Sequence, residues 1–317
     1  MLHGFAAPAG ARVLDIGCGA GRNLSWIAAT SRCECVGVDL ASTAIADAQA
    51  FAHGLLGLDR IEFRVQDFRD CDDGVFDVII VNGLYSWVPV EVRADLLAFV
   101  DRSLSAIGLA FVSFHDERDR PWRQQLLKIG DLEARLRAAR EMAIVDPEVE
   151  DGLLVHDHLA DISDPVPVSE FQAALPPGLR YLCDARLDYD PGDHSFHEAV
   201  LVRAGREPDP AVTDHIWWVT EESFPATVQG IDPSQVGIVE ALSHPRPLVA
   251  EVKGQTVQAW EPARRLAAAN VNPVMNYFGA LVDLDPADRS LLTAPDGEAD
   301  PDTLAFFARA GLLVEKE

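Results

Sequence analysis

The chain has 317 residues, enough for two or three domains. With 48% hydrophobic and 24% charged residues it can build an ordinary globular core, and no apolar run is long enough to span a bilayer. Its 26 basic residues against 51 acidic ones give a formal net charge of −25, which removes the basic face a nucleic-acid binder needs to displace counterions from phosphates. That charge either serves solubility or steers a cationic partner such as a basic peptide.

Residues 1–10 carry no basic n-region and lead almost at once into a strand, which argues against a signal peptide and for the cytoplasm. Residues 13–16 are an apolar run ending in glycines, and residues 21–30 read as a helix. A second run, 33–40, precedes a helix over 42–53 with Ser42 as its N-cap candidate. Runs at 61–65 and 76–81 follow, the latter (FDVIIV) apolar enough for a strand covered on both faces. A helix over 90–104 with Pro89 near its first turn and a strand over 109–114 close the series. Strands alternating with helices imply βαβ units and a doubly wound, Rossmann-like parallel sheet.

Residues 120–143 break the rhythm as one long helical pattern with a weak point at Gly130. A helix over 169–175 and two strands, 180–187 and 197–202, joined around Pro191-Gly192, read as an α+β domain, and Glu207 to Pro210 (EPDP) as a linker. From 277 the tail reads strand, helix, loop, helix, with Asp285-Pro286 and Asp300-Pro301 each supplying an N-cap and a first-turn proline. The expected division is 1–118 for a ligand-binding α/β domain, 119–210 for the linker helix and α+β domain, and 211–317 for a small C-terminal region. The five cysteines, Cys18, Cys33, Cys35, Cys71 and Cys183, show no zinc spacing and read as reduced structural thiols, with no metal site expected.

The chemistry concentrates in Val13-Leu14-Asp15-Ile16-Gly17-Cys18-Gly19-Ala20-Gly21, a strand running through a glycine turn into a helix. The glycines let a ligand approach the backbone and the helix start offers free N–H groups. A dinucleotide fingerprint places its third glycine where Arg22 stands, and Asp15, two residues ahead of Gly17, would repel a pyrophosphate but hold an ammonium group. Asp39 ends the second strand about twenty residues on, where an acid hydrogen-bonds ribose hydroxyls. Asp67-Phe68 follows the third strand, and Asn82 to Trp87 (NGLYSW) follows the fourth.

The D-x-G-x-G-x-G pattern resembles motif I of class I S-adenosylmethionine-dependent methyltransferases. Residues 76–89 followed by Glu91-Val92-Arg93 look like bacterial methyltransferases with an appended methyltransferase regulatory domain, similar in layout to rickettsial-type protein lysine methyltransferases. Residues 155–187, with Pro167-Val168-Ser169-Glu170-Phe171 and Gly178-Leu179-Arg180-Tyr181-Leu182, resemble that second domain, and the chain end resembles its winged-helix-like C-terminal region. The resemblance implies S-adenosyl-L-methionine as cofactor. It would be held at the first turn by Asp15, Gly17, Cys18, Gly19 and Gly21 with Asn23 in the helix behind, by Asp39 and Leu40, by Gln66, Asp67 and Phe68, and by Asn82 and Gly83. An acid at Asp67 would accept from the adenine amino group, with Phe68 packing on the ring. Tyr85 and His115 are the candidate catalytic residues, with Asp116 also near the crevice, and Tyr85, Trp87, Trp217 and Trp218 the candidate acceptor contacts. For Tyr85, packing the pocket is the favoured role over base chemistry.

Three departures from the family stand out. Relatives carry a helical stretch before the first strand, whereas this sequence starts almost at the strand, so either its start lies further upstream or that stretch is missing. The segment after the fifth strand is His115-Asp116-Glu117-Arg118-Asp119-Arg120-Pro121-Trp122 in place of a tyrosine- and glycine-containing stretch, and Asn82 replaces a common histidine. The last two touch the acceptor side. The expected function is methyl transfer to a protein or peptide side chain. The alternatives are a small-molecule methyltransferase of secondary metabolism, with Trp217-Trp218 as its pocket, and a non-catalytic S-adenosylmethionine-binding regulatory protein. No nucleic-acid or membrane partner is expected, and the oligomeric state is open.

Overall fold

The computed structural model describes residues 7–8, 10–116, 120–142, 151–155, 159–160, 164–185, 196–208, 257–276, 281–294 and 300–315. Its centre is a sheet of strands β1 (Arg12–Ile16), β2 (Glu34–Asp39), β3 (Ile61–Val65), β4 (Phe76–Val81), β5 (Leu104–His115), β6 (Leu179–Asp184) and β7 (Phe196–Arg203). The order is β3-β2-β1-β4-β5-β7-β6. β1 to β5 are parallel, and β7 runs antiparallel to both β5 and β6. The switch between β1 and β4 makes this the doubly wound sheet expected from the alternation, with its ligand crevice beyond the carboxyl ends of those strands.

Alternate residues of the central strands feed opposite faces, as a sheet covered on both sides requires. Val13, Val78 and Ile80 pack with α1 (Arg22–Thr30) and α2 (Ser42–Gln49). Leu14, Ile79 and Val81 pack with α3 (Val90–Ser103). After α2 the helix continues as a π-helical turn over Ala50–Leu55. The N-cap of α2 is Ala41 rather than Ser42, with no side chain capping the first turn, and the Asp39 carboxylate accepts the Ala41 N–H at 2.8 Å just ahead of the helix.

Two expectations are corrected. Residues 120–143 form two helices, α4 (Arg120–Leu126) and α5 (Leu132–Glu141), because Asp131 accepts the Ala134 N–H at 2.8 Å and starts a new helix directly after Gly130. The strands assigned to a separate α+β domain instead complete the first sheet, which therefore crosses the expected boundary at 118. The reason lies in β5, whose last eight residues are all buried and whose second edge needs a partner. β7 supplies it, from Leu109 opposite Val202 to His115 opposite Phe196. Between β5 and β6 the chain makes the excursion of α4, α5 and the short α6 (Asp151–Leu154), gathered on Leu126, Ala139, Leu154 and Leu159, and returns through α7 (Val168–Ala173). Buried Arg135 holds this excursion together through the carbonyls of Ile129 (3.1 Å) and Leu159 (2.6 Å).

The C-terminal region holds β8 (Val257–Ala259), α8 (Glu261–Ala268), β9 (Val274–Met275), β10 (Leu281–Val282), α9 (Pro286–Thr293), α10 (Pro301–Arg309) and β11 (Leu313–Glu315). β8 pairs with β11 and β9 with β10, both antiparallel. The expected caps form: Asp285 accepts from Asp288 N–H at 2.8 Å, and Asp300 from those of Asp302 and Thr303 at 2.9 and 3.1 Å. Trp260, Leu266, Phe307 and Leu312 join the same core as α1 and α2. No helix among the described residues is long and apolar enough to cross a membrane.

Candidate active site

The glycine turn after β1 is shaped by three positive φ angles, at Gly17 (73°), Gly19 (53°) and Gly21 (67°), a backbone that side chains resist. The three glycines do different work. A Cβ on Gly17 would press on Leu84, at 3.3 Å. One on Gly21 would run into the Phe63 ring and come within 2.8 Å of Ala48, so Gly21 seats α1 against its neighbours. A Cβ on Gly19 would meet nothing within 4 Å, and the same is true of Gly83, so these two border open space at the carboxyl edge of the sheet. The Gly17 and Cys18 N–H groups donate to Val38 O at 2.8 and 3.2 Å, tying the turn to the end of β2.

Two carboxylates flank this turn. Asp39 accepts from the backbone N–H of Gly19 at 2.9 Å through one oxygen and from that of Ala41 through the other, which fixes its plane and leaves lone pairs for a further donor. Asp15 is 4% exposed, and burial, reinforced by the Asp39 charge, pushes its carboxyl up to about 7. A cationic group in the crevice would offset that burial. The Cys18 thiol is pushed up by burial and then by the same two acids, so it is no nucleophile. Asn23 stands in the first turn of α1, half-buried.

Beyond Asp39, Leu40 is 72% exposed, an apolar side chain held out over the crevice rim. Gln66 donates its side-chain amide to Asp70 O at 2.9 Å. The Asp67 carboxylate is taken by Arg69, through Nε at 3.0 Å and Nη2 at 2.6 Å, which holds its carboxyl below the usual range. Phe68 turns inward onto Phe99, ring centres 5.7 Å apart, so its ring belongs to the core. Exposed Asn82 accepts from Ser113 Oγ at 2.8 Å, and the same Oγ accepts the Gly83 N–H at 2.7 Å.

On the acceptor side, buried Tyr85 stands edge-on to the stacked rings of Phe114 and Phe171, ring centres 6.0 and 5.2 Å away, and burial pushes its phenol up. That favours packing over proton transfer. Trp87 stands edge-on to His115 at 4.8 Å, and Phe196 is edge-on to the same imidazole at 5.3 Å. Buried Asp116 lies 3.6 Å from His197 Nε2, whose Nδ1 is 3.3 Å from Asp184. The fold thus gathers Asp15, the glycines, Asp39, Leu40, Asn82, Gly83, Trp87 and His115 at one edge, while Trp217 and Trp218 lie outside the described residues.

Residues 13–108 match the methyltransferase domain family. The chain carries a methyltransferase domain of the class I fold. Its sheet, with antiparallel β7 between β5 and β6, extends that domain well past the matched residues. A structure of PKMT2 from Rickettsia typhi superposes with a TM-score of 0.71, covering 99% of this chain and 96% of that one at 16% identity. A second structure of the same protein, in complex with AdoHcy, gives 0.69. Two uncharacterized proteins of Rickettsia prowazekii are also similar, 39% identical over 119 residues and 34% over 108. The chain spans 21% and 43% of their lengths, and the similar stretches are 36% and 33% of this chain.

Three polar side chains near this edge have no counterpart in the sequence analysis: Ser113, Arg93 as a structural group, and His197. Arg93 did leave a signal. It shares the 93-96-97-100 stripe with Leu96, Leu97 and Val100, a charged residue on the buried face of an amphipathic helix. Ser113 and His197 sit in the continuously buried stretches of β5 and β7, where periodicity says nothing about polar partners.

Proposed function

We propose that the chain is an S-adenosylmethionine-dependent methyltransferase acting on a protein or peptide side chain. The observation that carries the reading is the pair of acids at the glycine turn: Asp15 buried and proton-retaining, Asp39 locked by two backbone N–H groups, with Leu40 and open space at Gly19 and Gly83 beside them. These residues fit S-adenosylmethionine. Asp15 would face its ammonium group, Asp39 its ribose hydroxyls and Leu40 its adenine. Asp67 would reach the adenine amino group only by sharing its carboxylate with Arg69.

The bound cofactor supplies a methyl group already activated on a sulfonium. The chain supplies position: holding an acceptor in line is worth on the order of 7–11 kcal/mol in favourable cases. Trp87 and His115 form the wall nearest the end of β4 and β5. Tyr85 braces that wall from behind. The whole-chain likeness to PKMT2, the layout shared with rickettsial-type protein lysine methyltransferases and the net charge of −25 support a cationic macromolecular acceptor. The odd number of cysteines and their lack of paired spacing support reduced thiols and the cytoplasm.

The test is transfer from S-adenosylmethionine carrying a labelled methyl into a lysate of the source organism, separated afterwards by molecular size. Label in protein, stable to mild base, is the expected result for N-methylation. Label confined to small molecules overturns the acceptor class, and no label despite tight cofactor binding overturns catalysis.

A further inference from the structure

We propose that Arg93 is a positioning residue of the acceptor side, bracing residues 84–88 and 164–166 into one wall over the end of β5. The assignment rests on the methyltransferase reading. Arg93 is buried at 4% exposure, and a buried guanidinium is costly unless its donors are met. They are met, and not on its own helix. Nε donates to Val88 O at 3.2 Å, Nη1 to the Asp164 carboxylate at 3.2 Å, and Nη2 to Ser86 O and Asp164 O at 3.3 and 3.0 Å. The guanidinium carbon lies 5.3 Å from the centre of the Tyr85 ring.

The segments it joins are also stitched to each other. Asp164 N–H donates to Ser86 O at 2.7 Å, His115 N–H to Ser86 Oγ at 2.9 Å, and Val166 N–H to His115 O at 2.8 Å. Trp87 stands between two of these anchors, edge-on to His115. The other end of the same turn is held by a different group, since Ser113 fixes Asn82 and Gly83. The cofactor end and the acceptor end therefore have separate anchors. Segment 164–166, which the sequence placed in another domain, becomes a wall of the acceptor site.

The experiment compares the wild-type chain with Arg93→Lys and Asp164→Ala. Lysine keeps the charge but cannot span four acceptors, and the Asp164 side chain is 64% exposed, so its loss spares the core. Hydrogen exchange should speed at the amides of Trp87, His115, Asp164 and Val166 by about tenfold in Arg93→Lys, as for a lost hydrogen bond, with Gly17, Gly19 and Gly83 unchanged. S-adenosylhomocysteine affinity by calorimetry should stay within about twofold in both variants. Labelled methyl transfer to the lysate protein fraction, at saturating S-adenosylmethionine, should fall by about tenfold or more in Arg93→Lys and by less in Asp164→Ala. Faster exchange throughout β1 to β4, or cofactor affinity falling in step with transfer, would reduce Arg93 to a general stabiliser and overturn the assignment. Full transfer by both variants overturns it alone. No transfer by the wild-type chain overturns the methyltransferase reading and takes the assignment with it.

Discussion

Replacing Asp15 with asparagine keeps the side chain's shape and removes its ionisation. In the folded chain the carboxyl is raised from 3.8 to about 7, by burial first and then by Asp39. Between those values the folded state holds a proton that the unfolded chain has released, so stability falls as pH rises through the window. The displacement corresponds to on the order of 4 kcal/mol once both states are ionised, at about 1.36 kcal/mol for each tenfold step. Roughly 2–3 kcal/mol of it is lost between pH 5 and pH 8. Asp15→Asn carries no such cost. In urea titrations at pH 5, 6, 7 and 8, the stability of the variant relative to wild type should climb by about that amount across the series. Measuring the difference between the two chains cancels the titrating groups that do not interact with Asp15. A difference that stays constant with pH would refute the argument that Asp15 is held protonated. The same proton links to the ligand: wild-type affinity for S-adenosylmethionine should strengthen from pH 5 to about 7.5, and that of Asp15→Asn should be weak and nearly flat.

Asp39→Ala should weaken S-adenosylmethionine binding by about 1.5–3 kcal/mol in calorimetry, because it removes a charged acceptor that two backbone N–H groups have already oriented. Leu40→Asp should leave the unfolding free energy from urea titration within about 0.5 kcal/mol of wild type while lowering cofactor affinity, since the side chain touches little of the folded chain. Gly21→Ala and Gly19→Ala both incur about 1–2 kcal/mol for a left-handed backbone, but only Gly21→Ala adds a collision with Phe63 and Ala48. Thermal melts should therefore place Gly21→Ala clearly below Gly19→Ala, whereas Gly19→Ala should lose ligand because its methyl enters the crevice. Asp300→Ala should cost about 1 kcal/mol of stability through the lost cap of α10, with no change in cofactor binding.

The sheet from β1 to β5 was legible because each strand carries its own apolar run and each glycine turn or cap marks its end. β3 and β4 begin and end where the apolar runs do. The positions of Asp15 and Asp39 were legible for a related reason: each closes an apolar run near the carboxyl end of its strand, β1 or β2. The assignment of β6 and β7 to the sheet was not legible. Their hydrophobic pattern says that they pair, but the partner is fixed by the unmet edge of β5, a property of the assembled sheet. Phe68 misled in the same way. Its place beside Asp67 invites a ring on adenine, yet a three-residue 3₁₀ turn swings it onto Phe99. Polar partners such as Arg69 for Asp67, or Ser113 for Asn82, depend on side-chain reach across neighbouring elements, which spacing along the chain does not encode.

The place of β7 also sets when this protein can finish folding. Leu109 must wait for Val202, more than ninety residues later in the sequence. At about 5–20 residues per second, a chain leaving the ribosome keeps the far edge of β5 uncovered for roughly 5–20 seconds. During that time the excursion of α4, α5 and α6 is made first and can shelter the edge only from outside the sheet. A fragment ending near residue 118 would be stranded permanently at this stage, with an apolar strand edge open to pairing with another copy. Expression of such a fragment should yield aggregate, and the smallest soluble unit to attempt ends beyond Arg203.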